Sequence, residues 1–215
     1  PNSEIKYNKN MFDSPWDKYQ LADIIKSKEY RKNAINNIKN YDWYPKSIGA
    51  QYLQKTDEEN NWNVLKSIVK KYKKDPNIIV IHLRIGDAID GDSKHSIVDL
   101  LSKPCKYING YQYVLPLSHY KKKLKKMKET GIKKIIIFAG SRPSMSGKSL
   151  YKSYEYVMAI KTFLEKNGFE VKLRLRKNPD DDLIFASNSK YFLPGGGGYS
   201  NIIKKLVEKI GGKVL

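Results

Sequence analysis

The stretch that most constrains the fold is residues 77–87, which read NIIVIHLRIGD. Its run of isoleucine and valine, followed by His82 and Leu83, predicts a strand that is buried on both faces. The run ends in Arg84-Ile85-Gly86-Asp87, where charged groups and a glycine come directly after the apolar segment. Ligands bind open α/β sheets outside the carboxyl ends of the strands, and an arginine there can hold a phosphate in a fork of hydrogen bonds. The stretch therefore predicts the first strand of a nucleotide-binding layer.

Strand-like and helix-like segments alternate from this stretch to the end of the chain. Further strands are predicted at 133–138, 169–175, 191–194 and 213–215, and helices at 116–130, 148–166, 179–187 and 200–210. The strand at 191–194 is expected at a sheet edge because it contains Pro194. Repeated βα units of this size imply a mostly parallel sheet with right-handed crossovers. The predicted fold class is α/β, with a Rossmann-like sheet domain over residues 76–215.

The first 75 residues predict a helical N-terminal region, on the acceptor side or as a packing subdomain. Asp13-Ser14-Pro15 is typical of a helix start, and a loose helical period follows over residues 16–38. Residues 41–45 break that helix, and a second one is predicted over about 57–72. In contrast, residues 87–110 form a polar stretch without clear period, which predicts a long functional or mobile loop.

Composition excludes several classes of protein. The 215 residues carry 41 Lys and Arg against 22 Asp and Glu, a net charge of +19, which attracts anions but also fits the codon bias of an AT-rich genome. There is no apolar run of about 20 residues and no signal-peptide pattern. The single cysteine, Cys105, excludes an internal disulfide and favours a reducing, cytoplasmic compartment. Because the first residue is Pro1 rather than methionine, we expect one domain of a larger polypeptide.

Three further motifs each allow two interpretations. The glycines at 195–198, followed by Tyr199 and Ser200, predict either an anion site at a helix N-terminus or a flexible connector with a serine cap. Asp180-Asp181-Asp182 could bind a metal, although helix caps are the favoured interpretation. Ser146-Gly147-Lys148-Ser149 resembles the end of a P-loop but lacks the glycine that the motif needs at position 142. The lysines at 121–126 favour a solvated helix face over nucleic-acid binding.

Together these residues resemble a family of enzymes. HLRIGD at 82–87 resembles the HxRxGD first motif of the α-1,2, α-1,6 and protein O-fucosyltransferases. The segments at 182–187, 191–192 and 197–200 are similar to their third motif, and residues 116–138 resemble the intervening helix and strand. The resemblance covers about residues 77–210.

The resemblance implies a GT-B-type nucleotide-sugar domain and an inverting, metal-independent transfer to a glycan or glycoprotein acceptor. It implies that Arg84 holds the donor diphosphate, supported by His82. Asp182 would bind the nucleoside side. The remaining donor-binding candidates are Gly197, Gly198, Tyr199 and Ser200. No cofactor or metal is expected beyond the nucleotide sugar itself.

The chain departs from the family after its second strand, where Ala139-Gly140-Ser141-Arg142 replaces an acidic pair. Ser141 and Arg142 become further donor-binding candidates, and the donor is GDP-fucose by family default or another deoxysugar nucleotide such as a rhamnose donor. Inversion needs a base near the acceptor hydroxyl. We expect it in the loop at 87–95, with Asp87 ahead of Asp90 and His95. A P-loop-like phosphotransferase and a non-catalytic basic module that binds polyanions remain alternatives.

Overall fold

The computed structural model describes residues 5–13, 21–25, 58–70, 72, 75–105, 113–141 and 148–215. The predicted helix over 16–38 lies outside these ranges except for Leu21–Ile25, which form a short 3-10 helix. The predicted break at 41–45 lies outside them altogether. The boundary between an N-terminal region and a sheet domain at residue 76 stays a prediction.

The described strands form one sheet of five parallel strands. They are β1 Ile78–His82, β2 Lys134–Phe138, β3 Glu170–Arg174, β4 Tyr191–Leu193 and β5 Lys213–Val214. Their order in the sheet is β3-β2-β1-β4-β5. All five residues of β1 are buried, as the apolar run predicts for a central parallel strand. The α/β fold class is therefore confirmed.

One described α-helix precedes β1, and the others lie between successive strands. The α-helices are α1 Glu58–Lys70, α2 Ile97–Ser102, α3 Leu117–Glu129, α4 Tyr151–Lys166, α5 Pro179–Ser187 and α6 Gly198–Lys209. A 3-10 turn, Gly86–Ala88, follows β1. Among the described residues, no helix is long and apolar enough to cross a bilayer.

Two apolar layers cover the sheet, one on each face. Val80 and Phe192 pack on one side with α1, α5 and α6. Ile79 and Ile81 pack on the other side with α2, α3 and α4. Successive residues of a strand point to opposite faces, so the uninterrupted apolar run of β1 supplies both layers. The apolar face predicted for α1 comprises Trp62, Val64, Leu65, Ile68, Val69 and Tyr72. Trp62, Leu65, Ile68 and Val69 are buried in the first layer, whereas Tyr72 lies past the end of α1 and is 40% exposed.

Two predictions about the sheet domain are wrong. Strand β4 is not at an edge, because it pairs with both β1 and β5. Pro194 lies one residue past the strand, so its missing N–H removes no bond from the described ladder. The polar stretch at 87–110 is not a loop throughout, since it contains α2. Helix α2 starts with a capping box, in which the Ser96 side chain accepts from the Asp99 N–H and the Asp99 side chain accepts from the Ser96 N–H.

A buried amide joins α1 to α5 and tests this packing. Asn188 Nδ2 donates to the Val69 carbonyl over 2.7 Å and to the Ile184 carbonyl over 3.0 Å. We expect Asn188→Ala to lower the free energy of unfolding by about 1–3 kcal/mol, because two buried hydrogen bonds are lost. Urea unfolding measures the change. The exposed Asn201 on α6 provides the matched control, and Asn201→Ala should leave stability unchanged or slightly higher. Equal effects of the two changes would contradict the assigned tie.

Candidate functional site

The candidate site lies where the order of the strands reverses. From β1 the chain builds β2 and β3 on one side and then returns to place β4 on the other side. The crevice outside the carboxyl ends of β1 and β4 is the position at which doubly wound sheets bind ligands. The segments that follow these two strands are the HLRIGD stretch and the glycine turn at 195–198. The fold therefore brings the two strongest sequence motifs to one place.

The glycine turn packs so closely on its neighbours that two of its positions have no room for a side chain. A Cβ at Gly195 would lie 2.5 Å from the carbonyl oxygen of His82, and a Cβ at Gly196 would overlap the carbonyl oxygen of Tyr113. Gly197 has a φ of 91°, in the region that favours glycine, and a Cβ there would lie 4.0 Å from Cδ of Arg84. The glycines therefore let the turn lie directly against the end of β1 and beside Arg84.

Helix α6 begins in this turn, and its N-terminus has the features of an anion-binding site. Gly197 is the residue before the helix, and within the described residues no side chain caps it and no acidic residue lies in the first turn. The first N–H groups of a helix have no partner inside the helix, and the helix dipole places positive charge there. A backbone of this kind is suited to bind phosphate.

Arg84 is held at the mouth of the crevice. Its Nη2 forms an ion pair with Asp87 Oδ1 over 2.5 Å, and its Nη1 donates to the carbonyl of Ile85 over 3.3 Å. The side chain of Arg84 is 17% exposed and that of Asp87 is 34% exposed. The guanidinium is therefore fixed in one orientation while both charged groups remain reachable from solvent.

His82 ends β1, two residues before Arg84, and is uncharged at neutral pH. Its ring packs against Phe138 at 4.8 Å and against Tyr199 at 5.6 Å between ring centroids. Burial, together with the nearby charge of Arg84, lowers the pKa of His82 to about 3. Its Nδ1 is buried and has no hydrogen-bond partner among the described residues. A neutral imidazole can still donate one hydrogen bond to a ligand.

Tyr199 and Ser200 lie in the first turn of α6. The Tyr199 hydroxyl donates to the carbonyl of Pro179, which joins α6 to the start of α5. Burial raises the pKa of Tyr199 well above its usual value, so the phenol keeps its proton. Ser200 is fully buried, and its Oγ has no hydrogen-bond partner among the described residues. His82 and Ser200 thus each hold a polar atom for which the described part of the chain supplies no partner.

Asp182 lies in the first turn of α5. Its Oδ1 accepts a hydrogen bond from Nε of Arg174 over 2.7 Å, and the guanidinium of Arg174 lies over the ring of Phe185. Burial raises the pKa of Asp182 to about 6, and the charge of Arg174 opposes this shift. A ligand that reaches Asp182 would meet the arginine as well.

The three adjacent carboxylates of α5 do not act as one cluster. Asp180 Oδ1 accepts from the backbone N–H of Leu21 over 2.6 Å, Asp182 pairs with Arg174, and Asp181 is exposed. Across the described ranges, no group of three or more His, Cys, Asp or Glu residues is arranged to hold a metal ion. The interpretation of these carboxylates as helix caps is wrong, because the cap of α5 is Asn178, whose side chain accepts from the Asp180 N–H over 2.8 Å. All three carboxylates lie in the first turn of α5, where negative charge suits the helix dipole.

Of two further predicted donor-binding residues, Ser141 and Arg142, the structure describes Ser141. Ser141 is buried, and both its Oγ and its N–H donate to the carbonyl of Phe12, over 3.2 and 3.0 Å. These bonds favour a structural role for Ser141. Arg142 lies outside the described residues, as do the first two residues of the P-loop-like segment.

The start of α4 is already occupied by a carboxylate. Asp90 Oδ1 accepts from the Lys152 N–H over 3.0 Å, and Asp90 Oδ2 accepts from the Ser153 hydroxyl. The N–H of Leu150 donates to the hydroxyl of Tyr7 over 3.1 Å. A phosphate at this helix end would meet a negative charge, so these contacts disfavour the P-loop interpretation.

The other candidate bases of the loop at 87–95 are likewise engaged. His95 Nδ1 lies 2.6 Å from Asp92 Oδ2, and Nζ of Lys152 donates to the carbonyls of Asp92 and His95.

Ser153, which joins Asp90 to the turn after β1, was missed by sequence reasoning. Its partners lie more than 60 residues away along the chain, and a lone serine in a helix carries no signal of such a contact.

Comparison with known proteins gives structural likeness only. No family model matches the sequence, and no curated protein matches it. Among solved structures, the chain is similar to POFUT1 in complex with GDP-fucose, with 13% identity and a TM-score of 0.37 over 68% of this chain and 46% of that chain. It is also similar to POFUT1 in complex with GDP, with 14% identity and a TM-score of 0.38 over 75% and 57% of the two chains. For apo POFUT1 the identity is 11% and the TM-score 0.39, over 76% and 50%.

The chain therefore spans about half the length of these POFUT1 structures. Because every one of these TM-scores is below 0.5, they do not bear on the roles of the residues described above.

The close packing of the glycine turn gives the first prediction for the site. A Cβ at Gly196 would force the backbone of Tyr113 to move, whereas a Cβ at Gly198 would meet nothing within 4 Å. We expect Gly196→Ala to lower the free energy of unfolding by about 1–3 kcal/mol, as overpacking does. Gly198→Ala is the matched control and should be neutral or stabilising, because alanine favours the helix. Thermal unfolding distinguishes them, and equal melting temperatures would contradict the described packing.

The buried imidazole gives a prediction about pH. The unfolded chain binds a proton at His82 below a pKa of about 6.5, whereas the folded chain does so only near 3. The contribution of His82 to the free energy of unfolding is therefore fully present above pH 6.5. It falls by about 1.4 kcal/mol for each pH unit below that value. Asp182 acts in the opposite sense, since its raised pKa favours the folded state at low pH.

The measurement compares wild type with His82→Gln between pH 4.5 and about 7. Because Asp182 is common to both proteins, its contribution cancels in the difference between their unfolding free energies. The free energy of unfolding of wild type minus that of His82→Gln should fall by about 1.4 kcal/mol per pH unit as the pH falls. Parallel curves would show that His82 titrates normally in the folded state.

Proposed function

We propose that this chain provides the nucleotide-sugar site of an inverting, metal-independent glycosyltransferase. The observation that carries the proposal is the meeting of Arg84 with the open N-terminus of α6 where the strand order reverses. The donor is a nucleoside diphosphate deoxysugar, GDP-fucose by resemblance or a rhamnose donor, and the acceptor is a glycan or a protein. The resemblance of HLRIGD to the first motif of the fucosyltransferases supports this choice of donor.

The chemistry of the crevice fits a diphosphate leaving group. Negative charge grows on the diphosphate as the bond to the sugar breaks, and preorganised donors that face this charge lower the barrier. Arg84 supplies a fixed positive charge, the first turn of α6 supplies backbone N–H groups, and the neutral His82 supplies one further donor. Together these groups offer charge stabilisation from the protein itself.

The nucleoside is proposed to lie toward the start of α5. The hydroxyl of Tyr199 reaches the carbonyl of Pro179, so α6 and α5 form one continuous wall beside His82. Asp182 lies in the first turn of α5, the turn that Pro179 begins. Its carboxylate can accept hydrogen bonds from hydroxyl or amine groups of a nucleoside, in competition with Arg174.

Asp87 is the favoured base within the loop at 87–95. Asp90 and His95 are each bound to partners inside the loop and α4, whereas the Asp87 side chain is about one third exposed. Its ion pair with Arg84 gives it a second role, which is to orient the guanidinium. The two roles differ in their effect on donor binding.

Calorimetric titration with nucleotides tests the proposed function. GDP, GDP-fucose, UDP and ATP are titrated in the presence of EDTA into wild type and Arg84→Gln. We expect one diphosphate nucleotide to bind wild type, with at least about tenfold weaker binding to the variant, because charge-assisted hydrogen bonds to the phosphates are lost. Lys126→Gln removes one exposed positive charge on α3 and is the matched control.

The outcomes separate the alternatives. Equal effects of Arg84→Gln and Lys126→Gln on salt-sensitive polyanion binding would favour a non-catalytic basic module, because a surface patch has no single critical arginine. Binding of ATP alone, restored by magnesium, would favour a phosphotransferase. Either result would contradict the proposed transferase.

Replacement of Asp87 distinguishes its two roles. If Asp87 is the base, Asp87→Asn should abolish release of GDP from GDP-fucose and leave the dissociation constant of GDP within about twofold of wild type. Steady-state assay of GDP release, beside calorimetry, measures both quantities. Weaker GDP binding with turnover lost in proportion would instead assign Asp87 to holding Arg84. Full activity would place the base elsewhere.

A further inference from the structure

A buried polar chain fastens the turn that carries Arg84 and Asp87 to helix α4. The N–H of Gly86 donates to Ser153 Oγ over 3.0 Å, and the Ser153 hydroxyl donates to the carboxylate of Asp90. The other oxygen of Asp90 accepts from the N–H of Lys152 over 3.0 Å. Ser153 is fully buried, and Gly86 is buried with it. The Gly86 N–H, the Ser153 hydroxyl and the Asp90 carboxylate thus each have a partner. A buried hydrogen-bond network whose members all have partners makes its surroundings rigid.

The turn itself cannot take its shape from local preference alone. Gly86 has a φ of 71°, and its carbonyl accepts from the N–H groups of Ile89 and Asp90 over 2.9 and 2.7 Å. These bonds close the turn on itself but do not fix its direction relative to the sheet. The bond from Gly86 to Ser153 reaches another element, α4, and Gly86 lies between Arg84 and Asp87 in the sequence.

We propose that Ser153, with Asp90 behind it, is a positioning residue that sets the direction of the Arg84 guanidinium toward the crevice. The inference rests on the proposed function, since it assigns a role in binding the nucleoside diphosphate. Ser153 acts through the backbone of Gly86 and does not reach the ligand. Asp90, considered above as a base, holds the Ser153 hydroxyl and the first turn of α4.

The test measures how Ser153 is coupled to Arg84. GDP is titrated into wild type, Ser153→Ala, Arg84→Gln and the double variant, and thermal unfolding is recorded for each. We expect Ser153→Ala to weaken GDP binding about tenfold in the wild-type background and by no more than about twofold in the Arg84→Gln background. The loss of dependence on Ser153 once Arg84 is gone is what a purely structural role would not produce.

Two controls accompany the cycle. Ser187→Ala removes another fully buried hydroxyl, whose Oγ has no hydrogen-bond partner among the described residues, and should leave GDP binding within about twofold. Asp90→Asn replaces one of the two acceptor oxygens of Asp90 by an NH2 group, so that the side chain cannot accept from both the Ser153 hydroxyl and the Lys152 N–H, and it opens no cavity. It serves if Ser153→Ala does not fold, and the same coupling to Arg84 is expected.

The outcomes are distinct from failure of the proposed function. Wild-type affinity in Ser153→Ala, or an equal loss with and without Arg84, would overturn the positioning role while leaving the nucleotide site intact. Absence of any nucleoside diphosphate binding by wild type would overturn the function and this inference together.

Discussion

The arrangement of the molecule depends on the pairing of β1 with a strand on each side. All five residues of β1 align with β2, and three of them align with β4 on the opposite edge. A strand paired on both sides and buried on both faces has almost no freedom to shift in register, because one step would move every side chain to the wrong face. His82 therefore ends the strand at a fixed height. The turn with Arg84 begins from that height, and the glycine turn after β4 is placed beside it.

The electrostatics of the crevice follow from this placement. Arg84 contributes the permanent positive charge, and the nearby His82 is kept neutral by burial and by that charge. Tyr199 also keeps its proton. The crevice thus offers donors whose charge state hardly changes over the physiological pH range. Its carboxylates are held by specific partners: Asp87 by Arg84 and Asp182 by Arg174. The high net charge of the chain is not needed to account for this local field.

Much of the fold could be predicted from the sequence because its signals are local. The isoleucine runs of β1 and β2 and the stop signals of the helices are read from neighbouring residues. The position of β4 could not be read in this way, because edge or centre depends on which strands pair. Proline gave the wrong indication, since it lies just past the strand rather than within it. Helix α2 was missed because six residues are too few to show a helical period, although the capping box at its start was visible.

The same difference between local signals and long-range contacts applies to the candidate site. The residues after β1 and β4 could be found because motifs mark them and because parallel strands end at one edge. The structural bond of Ser141 could not be foreseen, since it joins Ser141 to Phe12, 129 residues away along the chain. Ser153 was missed for the same reason. A contact between distant parts of the chain leaves no mark at either position, and only the packed molecule reveals it.

The segments near the start of the chain have a consequence for where it can be shortened. Phe12 is buried in one apolar layer and its carbonyl holds Ser141, whereas Leu21 is buried in the other layer and its N–H is held by Asp180. The described segments 5–13 and 21–25 thus each contribute to a different apolar layer of the sheet. A protein cut to residues 76–215 would keep every strand of the sheet. It would nevertheless lose Met11 and Phe12 from one layer, lose Leu21, Ala22 and the buried face of α1 from the other, and expose the carboxylate of Asp180. A domain boundary drawn from the strands alone would therefore yield a fragment with apolar surface exposed on both faces of the sheet.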